Sequence, residues 1–133
     1  MKALDTNILA RYYTKDDPAQ SPIALRIMSG PDALFVPRTV VLEFVWVLES
    51  SYRLRRSAIE RALSHLLGLR NVIVENAVLV ESALELYRGG FDFADALHWA
   101  ASRECSELLT FDTRRFAARA VKARLTPPCR VPK

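Results

Sequence analysis

With 133 residues, the chain is the size of one domain and long enough to bury a core without disulfide staples. Half of it is hydrophobic and 26% is charged, the balance of an ordinary soluble globular protein, and no apolar run approaches the roughly 18 residues of a membrane span. The net charge of +4 is a mild cationic excess that suits an anionic partner without naming one. Lys occurs only at positions 2, 15, 122 and 133. The other cations are all Arg, whose planar fork matches phosphate and carboxylate as Lys does not. Asp5 interrupts the N-terminal apolar stretch at once, which argues against a signal peptide and for a cytoplasmic location. Cys105 and Cys129 are expected as reduced thiols, one in the core and one in the tail. Without CxxC spacing they do not suggest zinc.

In chain order, Ala3-Leu4 reads as a very short strand that runs into a helix N-cap at Asp5-Thr6-Asn7. A helix over 8–13 is stopped by Asp16-Asp17-Pro18, and an amphipathic helix over 22–28 is stopped by Gly30-Pro31. Ala33-Leu34-Phe35-Val36 is a second buried strand, closed by Pro37. The helix over 38–52 is apolar on most of its circumference, with Val40, Val41, Leu42, Phe44, Val45, Trp46, Val47 and Leu48. It needs cover on more than one side. The next helix, over 57–67, carries Ile59, Leu63, Leu66 and Leu67 in register, with a capping box between Ser57 and Glu60. Val72-Ile73-Val74 is a third strand. Helices over 77–87 and 93–105 flank Gly89-Gly90. A fourth strand over 108–111, a helix over 113–121 and a fifth strand over 129–131 complete the chain. Strands alternating with helices imply an α/β protein: a mainly parallel sheet of four to five strands, helices on both faces, and residues 1–133 as a single domain. Ligands of such sheets sit outside the carboxyl ends of the strands.

The acids fall at those ends. Asp5 directly follows the first strand and Asp112 the fourth. Glu43 sits in a helix so apolar that an acid there is expected to be buried and to need a partner or a cation. Asp95 lies on the first turn of a helix whose other residues are small or apolar. Asp92, three residues earlier, has the geometry of a capping pair with it. Gathered carboxylates repel unless a cation sits among them, and hard oxygen donors suit Mg²⁺ or Mn²⁺ rather than zinc. A metal so held can orient and deprotonate water and neutralise charge on a scissile phosphate. Arg11, Arg38, Arg114 and Arg115 lie near strand ends or helix starts and are candidates to grip RNA phosphates. His98, one turn past Asp95, reads as a packed helix residue first and as a site residue second.

Leu4-Asp5-Thr6-Asn7, Glu43, the run Asp92-Phe93-Ala94-Asp95-Ala96-Leu97 and the run Leu108-Leu109-Thr110-Phe111-Asp112 resemble, in order and spacing, the acidic motifs of PIN domains. Among these the chain is most similar to the VapC group of toxin ribonucleases. The resemblance covers essentially the whole chain. It implies a three-layer PIN-like fold and Mg²⁺-dependent endoribonuclease activity on structured RNA. Asp5, Glu43, Asp95 and Asp112 would be the metal-binding and catalytic acids, with Thr6, Asn7 and Asp92 in support. It also implies a homodimer and silencing by a cognate VapB-type antitoxin. The apolar helix adds to the homodimer expectation: its segment 39–48 has surface to spare for a second copy, with Val41, Val45 and Leu48 as the residues to test for outward facing. Two other acid-dependent α/β classes fit worse. A haloacid-dehalogenase-type phosphotransferase wants a second acid where Asn7 stands. A receiver domain wants paired acids after strand one and a Lys after the last strand. The alternative from another class is a catalytically inactive PIN-like module that binds RNA or protein.

Overall fold

The computed structural model describes residues 1–133, which form two compact units, Met1–Ala77 and Val78–Lys133. The first is built on a parallel sheet in the order β1-β2-β3, with β1 at Lys2–Ala3, β2 at Leu34–Val36 and β3 at Val72–Val74. Leu34 pairs with Lys2 on one side and Val72 on the other. Parallel neighbours need long crossovers. Helices α1 (Thr6–Thr14) and α2 (Gln20–Met28) supply the first, and α3 (Arg38–Ser50) and α4 (Arg56–Gly68) the second. Leu34, Val36, Val72 and Val74 are buried, whereas Ile73 between them is half exposed. That alternation gives the sheet one core face.

The α3 helix corrects the sequence reading. Its buried stripe is Val41, Phe44, Val45 and Leu48, the i, i+3, i+4, i+7 pattern of an amphipathic helix. Val41, Val45 and Leu48 therefore face inward, not outward. The opposite side carries exposed Glu43 and Trp46, the latter 62% exposed. α4 buries Ile59, Leu63 and Leu66. Its helix begins at Arg56 with Arg55 as a cap that makes no side-chain bond, so the Ser57–Glu60 box does not form: Ser57 already lies inside the first turn.

The second unit holds α5 (Ala77–Arg88, starting at the boundary), α6 (Phe93–Ala101), β4 (Leu108–Leu109), a π-helical turn (Thr113–Ala117) that runs into α7 (Ala118–Lys122), and β5 (Cys129–Arg130). Tyr87 meets Phe93, and Phe91 meets Phe116, each edge to face at 5.7 Å. The Trp99 Nε1–H donates to the Pro127 carbonyl at 3.2 Å. Between α5 and α6 the chain turns at Gly90, φ 101°. A Cβ there would stand 2.7 Å from Nη1 of Arg119, which donates to the Gly90 carbonyl at 2.9 Å. The positive φ is what favours glycine here, since the Arg119 guanidinium at the end of a flexible side chain could shift to admit a Cβ.

The pairing is parallel throughout, as expected, but the single sheet of four to five strands is not. The β1-β2-β3 sheet has three strands, and β4 and β5 pair by themselves. The latter two are only two residues long, and their ladder closes on itself through Leu108 N–H to Pro128 O and Thr110 N–H to Arg130 O. α6 stops at Ala101 rather than at 105, where the Ser102 hydroxyl donates to the His98 carbonyl at 2.7 Å and competes with the helix ladder. Cys105 is consequently exposed, not in the core, and Cys129 is half-buried; both are free thiols. No helix is long and apolar enough to cross a membrane.

Candidate active site

In the first unit, the end of β1 hands the chain to α1 at Asp5. The extended backbone of Asp5 (φ −89°, ψ 164°) makes it the N-cap, with Oδ1 accepting from the Thr6 N–H at 2.7 Å. Asp, Asn and Ser are the residues that satisfy such orphan donors. Oδ2 makes no bond within the protein, and the side chain is exposed. Thr6 is 6% exposed, and its hydroxyl donates to Oε1 of Glu43 on α3. Within the run Asp5-Thr6-Asn7 the cap is Asp5, and the acid that the Thr6 hydroxyl holds is Glu43. Glu43 is exposed instead of buried, because α3 turns its apolar stripe away from it.

Asp5 and Glu43 face a common open cleft of about 360 Å³, lined also by Thr6, Asn7, Arg11 and Tyr52. Asn7 is exposed and its amide makes no internal hydrogen bond. Arg11 is held on several sides. Its Nε donates to Gln20 Oε1 at 2.9 Å, and Nη1 reaches both oxygens of Asp16 at 3.1 and 3.0 Å and the Tyr52 hydroxyl at 2.7 Å. Tyr52 in turn donates to Asp16 Oδ2 at 2.8 Å. Hydrogen bonds from the Tyr52 and Thr14 hydroxyls, and the charge of Arg11, hold the Asp16 carboxyl below its ordinary value. This rim was not foreseen. Arg11 and Asp16 flank Lys15, which ends α1 in the left-handed region at φ 55°, and Tyr52 arrives 36 residues after Asp16. No local pattern announces such a junction. Arg38, at the carboxyl end of β2, has its backbone N–H accepted by Glu75 Oε1 at 2.8 Å, and its Nη1 donates to Asn76 Oδ1 at 3.2 Å. Glu75 thus caps α3 from beyond β3, a contact that spacing along the chain does not reveal.

In the second unit three acids gather. Asp92 is the N-cap of α6, with Oδ2 accepting from the Asp95 N–H at 3.1 Å. Asp112 is the N-cap of the π-helical turn, with Oδ1 accepting from the Arg115 N–H at 2.9 Å. Asp95, half-buried on the first turn of α6, is pushed above its ordinary pKa by burial and then by the negative charges of Asp92 and Asp112. His98 and Arg115 act in the opposite sense. The Cys129 thiol is likewise raised, by burial and then by Asp95. Arg114 and Arg115 are exposed. The π-helical turn therefore carries two cations directly after Asp112, while Asp92 and Asp112 disfavour the charged form of Asp95.

Compared with known families, residues 2–122 match the PIN domain. The chain belongs to the PIN domain family. The match spans Asp5, Glu43, Asp95 and Asp112 and stops before β5. PIN domains are generally nucleases, so the fold is of a nuclease type, and such nucleases usually use divalent metals. No curated protein matches this PIN domain. In neither unit do three His, Cys, Asp or Glu side chains converge into a ready metal cage. The negatively charged donors on offer, Asp5 and Glu43 in one unit and Asp92, Asp95 and Asp112 in the other, are carboxylate oxygens. Mg²⁺ keeps several waters and is often held by one or two carboxylates together with substrate phosphates.

Proposed function

We propose that this PIN domain is a metal-dependent endoribonuclease that acts in the cytoplasm. It is the toxin of a VapBC-type pair, silenced by a cognate VapB-type antitoxin. The observation that carries the reading is the cleft in which Asp5, with one free carboxylate oxygen, faces Glu43, itself aimed by the Thr6 hydroxyl. Asp5, Glu43, Asp95 and Asp112 would hold Mg²⁺, or Mn²⁺ in its place. Their hard oxygens suit that ion, and the mutual repulsion of Asp92, Asp95 and Asp112 favours a cation among them. When bound, the metal supplies the positive charge that activates water and steadies a scissile phosphate. The chain's own residues do the rest. Thr6 fixes Glu43, Asp92 holds the start of α6 on which Asp95 sits, and the Asn7 amide, free of internal hydrogen bonds, lines the cleft next to Asp5 and is open to a ligand there. Arg38, Arg114 and Arg115 anchor RNA phosphates, and Arg11 adds its unused Nη2. The family match over residues 2–122 supports reading the chain as a single PIN-like domain.

Millimolar Mg²⁺ should both enable cleavage of a structured RNA and raise the melting temperature by several degrees. A ligand at 100 times its Kd stabilises by about 2.7 kcal/mol through mass action. Cleavage that survives chelation, with a melting curve indifferent to the metal, would overturn the metal-dependent reading. A second reading, a non-catalytic PIN module that binds RNA or protein, draws on the absence of a closed cage in either unit. RNA retained intact by the metal-loaded protein would select it.

The protein is further proposed to be a homodimer through the side of α3 that carries Trp46, 62% exposed, and Leu42 one turn before it, away from the cleft that Glu43 and Val47 line. Trp is enriched in protein contact surfaces relative to the rest of the surface. Light scattering should give a dimer mass for the wild type and a monomer mass for Trp46→Glu. A monomeric wild type would refute the dimer without touching the metal site.

A further inference from the structure

The cleft that holds Asp5 and Glu43 does not end at Asn7 and Arg11. The same two residues also line a second hollow of about 200 Å³ between α1 and α2, completed by Ile8, Gln20, Ile23 and Ala24. We propose that this hollow is a base subsite: it takes one unstacked nucleobase from the nucleotide next to the phosphate held in the cleft. This rests on the ribonuclease reading and deepens it.

The volume is below the roughly 300 Å³ at which pockets begin to hold a whole drug-sized ligand, a size for one ring system rather than a nucleotide or a peptide. The lining has the character a base requires. Ile8, Ile23 and Ala24 give it apolar walls, and Ile23 is 46% exposed with nothing over it. Two amides lie among them. That of Asn7 offers both donor and acceptor. Gln20 has given its Oε1 to Arg11 Nε at 2.9 Å, which fixes the amide plane and leaves Nε2 as a donor. Paired donors and acceptors on an amide are what base edges match. The wall shared by the two hollows is Arg11, immobilised by Gln20, Asp16 and Tyr52, with Nη2 left to meet the phosphate between them. Single-stranded RNA is recognised in this way, by splaying out a base against an apolar surface and reading its edge.

The test uses binding, so that its failure and that of the nuclease reading are separate. A short single-stranded RNA is titrated into the full chain with Asp5→Asn in the presence of a chelator, so that no metal-activated water can cut it. Each position in turn is made abasic. At one position the abasic sugar should weaken binding about tenfold, the scale of a single base contact. Added Ile23→Ala or Gln20→Ala should shrink that ratio to about twofold or less, while salt dependence, set by the phosphates, stays unchanged. Both substitutions are at exposed or half-exposed positions, and melting curves verify the fold. An abasic penalty that is missing at every position, or that persists in both variants, overturns the subsite. Wild-type protein that binds with the expected penalty yet never cleaves unmodified RNA would sink the nuclease reading alone. RNA that does not bind the variant while the wild type still cleaves unmodified RNA would sink the subsite alone.

Discussion

Asp5→Asn and Asp95→Asn are each expected to lower RNA cleavage by at least about 10²-fold, the scale for removing one preorganised electrostatic group from a reacting site, while the fold remains intact. The separation of effects follows from where the acids stand. Asp5 caps α1 through Oδ1 and the Thr6 N–H, and Asn caps helices as well as Asp does, so the amide keeps the local structure and removes only the charge. Asp95 bears no capping duty of its own; it receives its neighbours' repulsion, and burial already works against its charge. A neutral amide there should leave stability unchanged or raise it. Circular-dichroism melting establishes the fold, and gel analysis of an end-labelled structured RNA with Mg²⁺ establishes activity. Cleavage retained near the wild-type rate in either folded variant would remove that acid from the mechanism.

The same residues show what was legible in the sequence. Asp5, Asp92 and Asp112 could be placed because they mark boundaries: each has extended backbone and caps the helical turn that follows, and capping is a local matter of residue type. The alternation of strands and helices gave the parallel pairing for a similar reason, since hydrophobic period and chain length are local. Glu43 is exposed where the sequence pictures it as buried. A run of apolar residues from Val40 to Leu48 hides its own two-sidedness until the helix is built and Val41, Phe44, Val45 and Leu48 turn together. Thr6 with Glu43 and Arg11 with Tyr52 lie 37 and 41 residues apart, and nothing in either segment specifies the other. The ends of β4 and β5 were overextended because an apolar residue such as Phe111, 82% exposed, reads as strand by propensity although its surroundings leave it in water.

Phe44→Ala is expected to destabilise the protein by about 3–5 kcal/mol, the usual cost of emptying an aromatic site in a packed core. Phe44 is fully buried at the centre of the α3 stripe, and its ring lies 5.5 Å from that of Tyr13 at the end of α1. The cavity would thus open between two helices, and rigid segments collapse onto a void less completely than side chains do. Against a total stability of about 5–15 kcal/mol this is a large share, so urea denaturation should show the midpoint fall sharply with little change in slope. A loss under about 1 kcal/mol would mean that α3 does not pack as described. The activity of the folded fraction separates two ways of holding Glu43, the next residue back along the chain. If the Thr6 hydroxyl aims the carboxylate, cleavage per folded molecule should survive Phe44→Ala at low temperature within a few-fold. If the Phe44 ring sets the α3 backbone on which Glu43 rides, activity should fall with the packing even where circular dichroism reports a native helix content. The direct Thr6–Glu43 bond, made by a threonine that is itself buried at the start of α1, favours the first outcome.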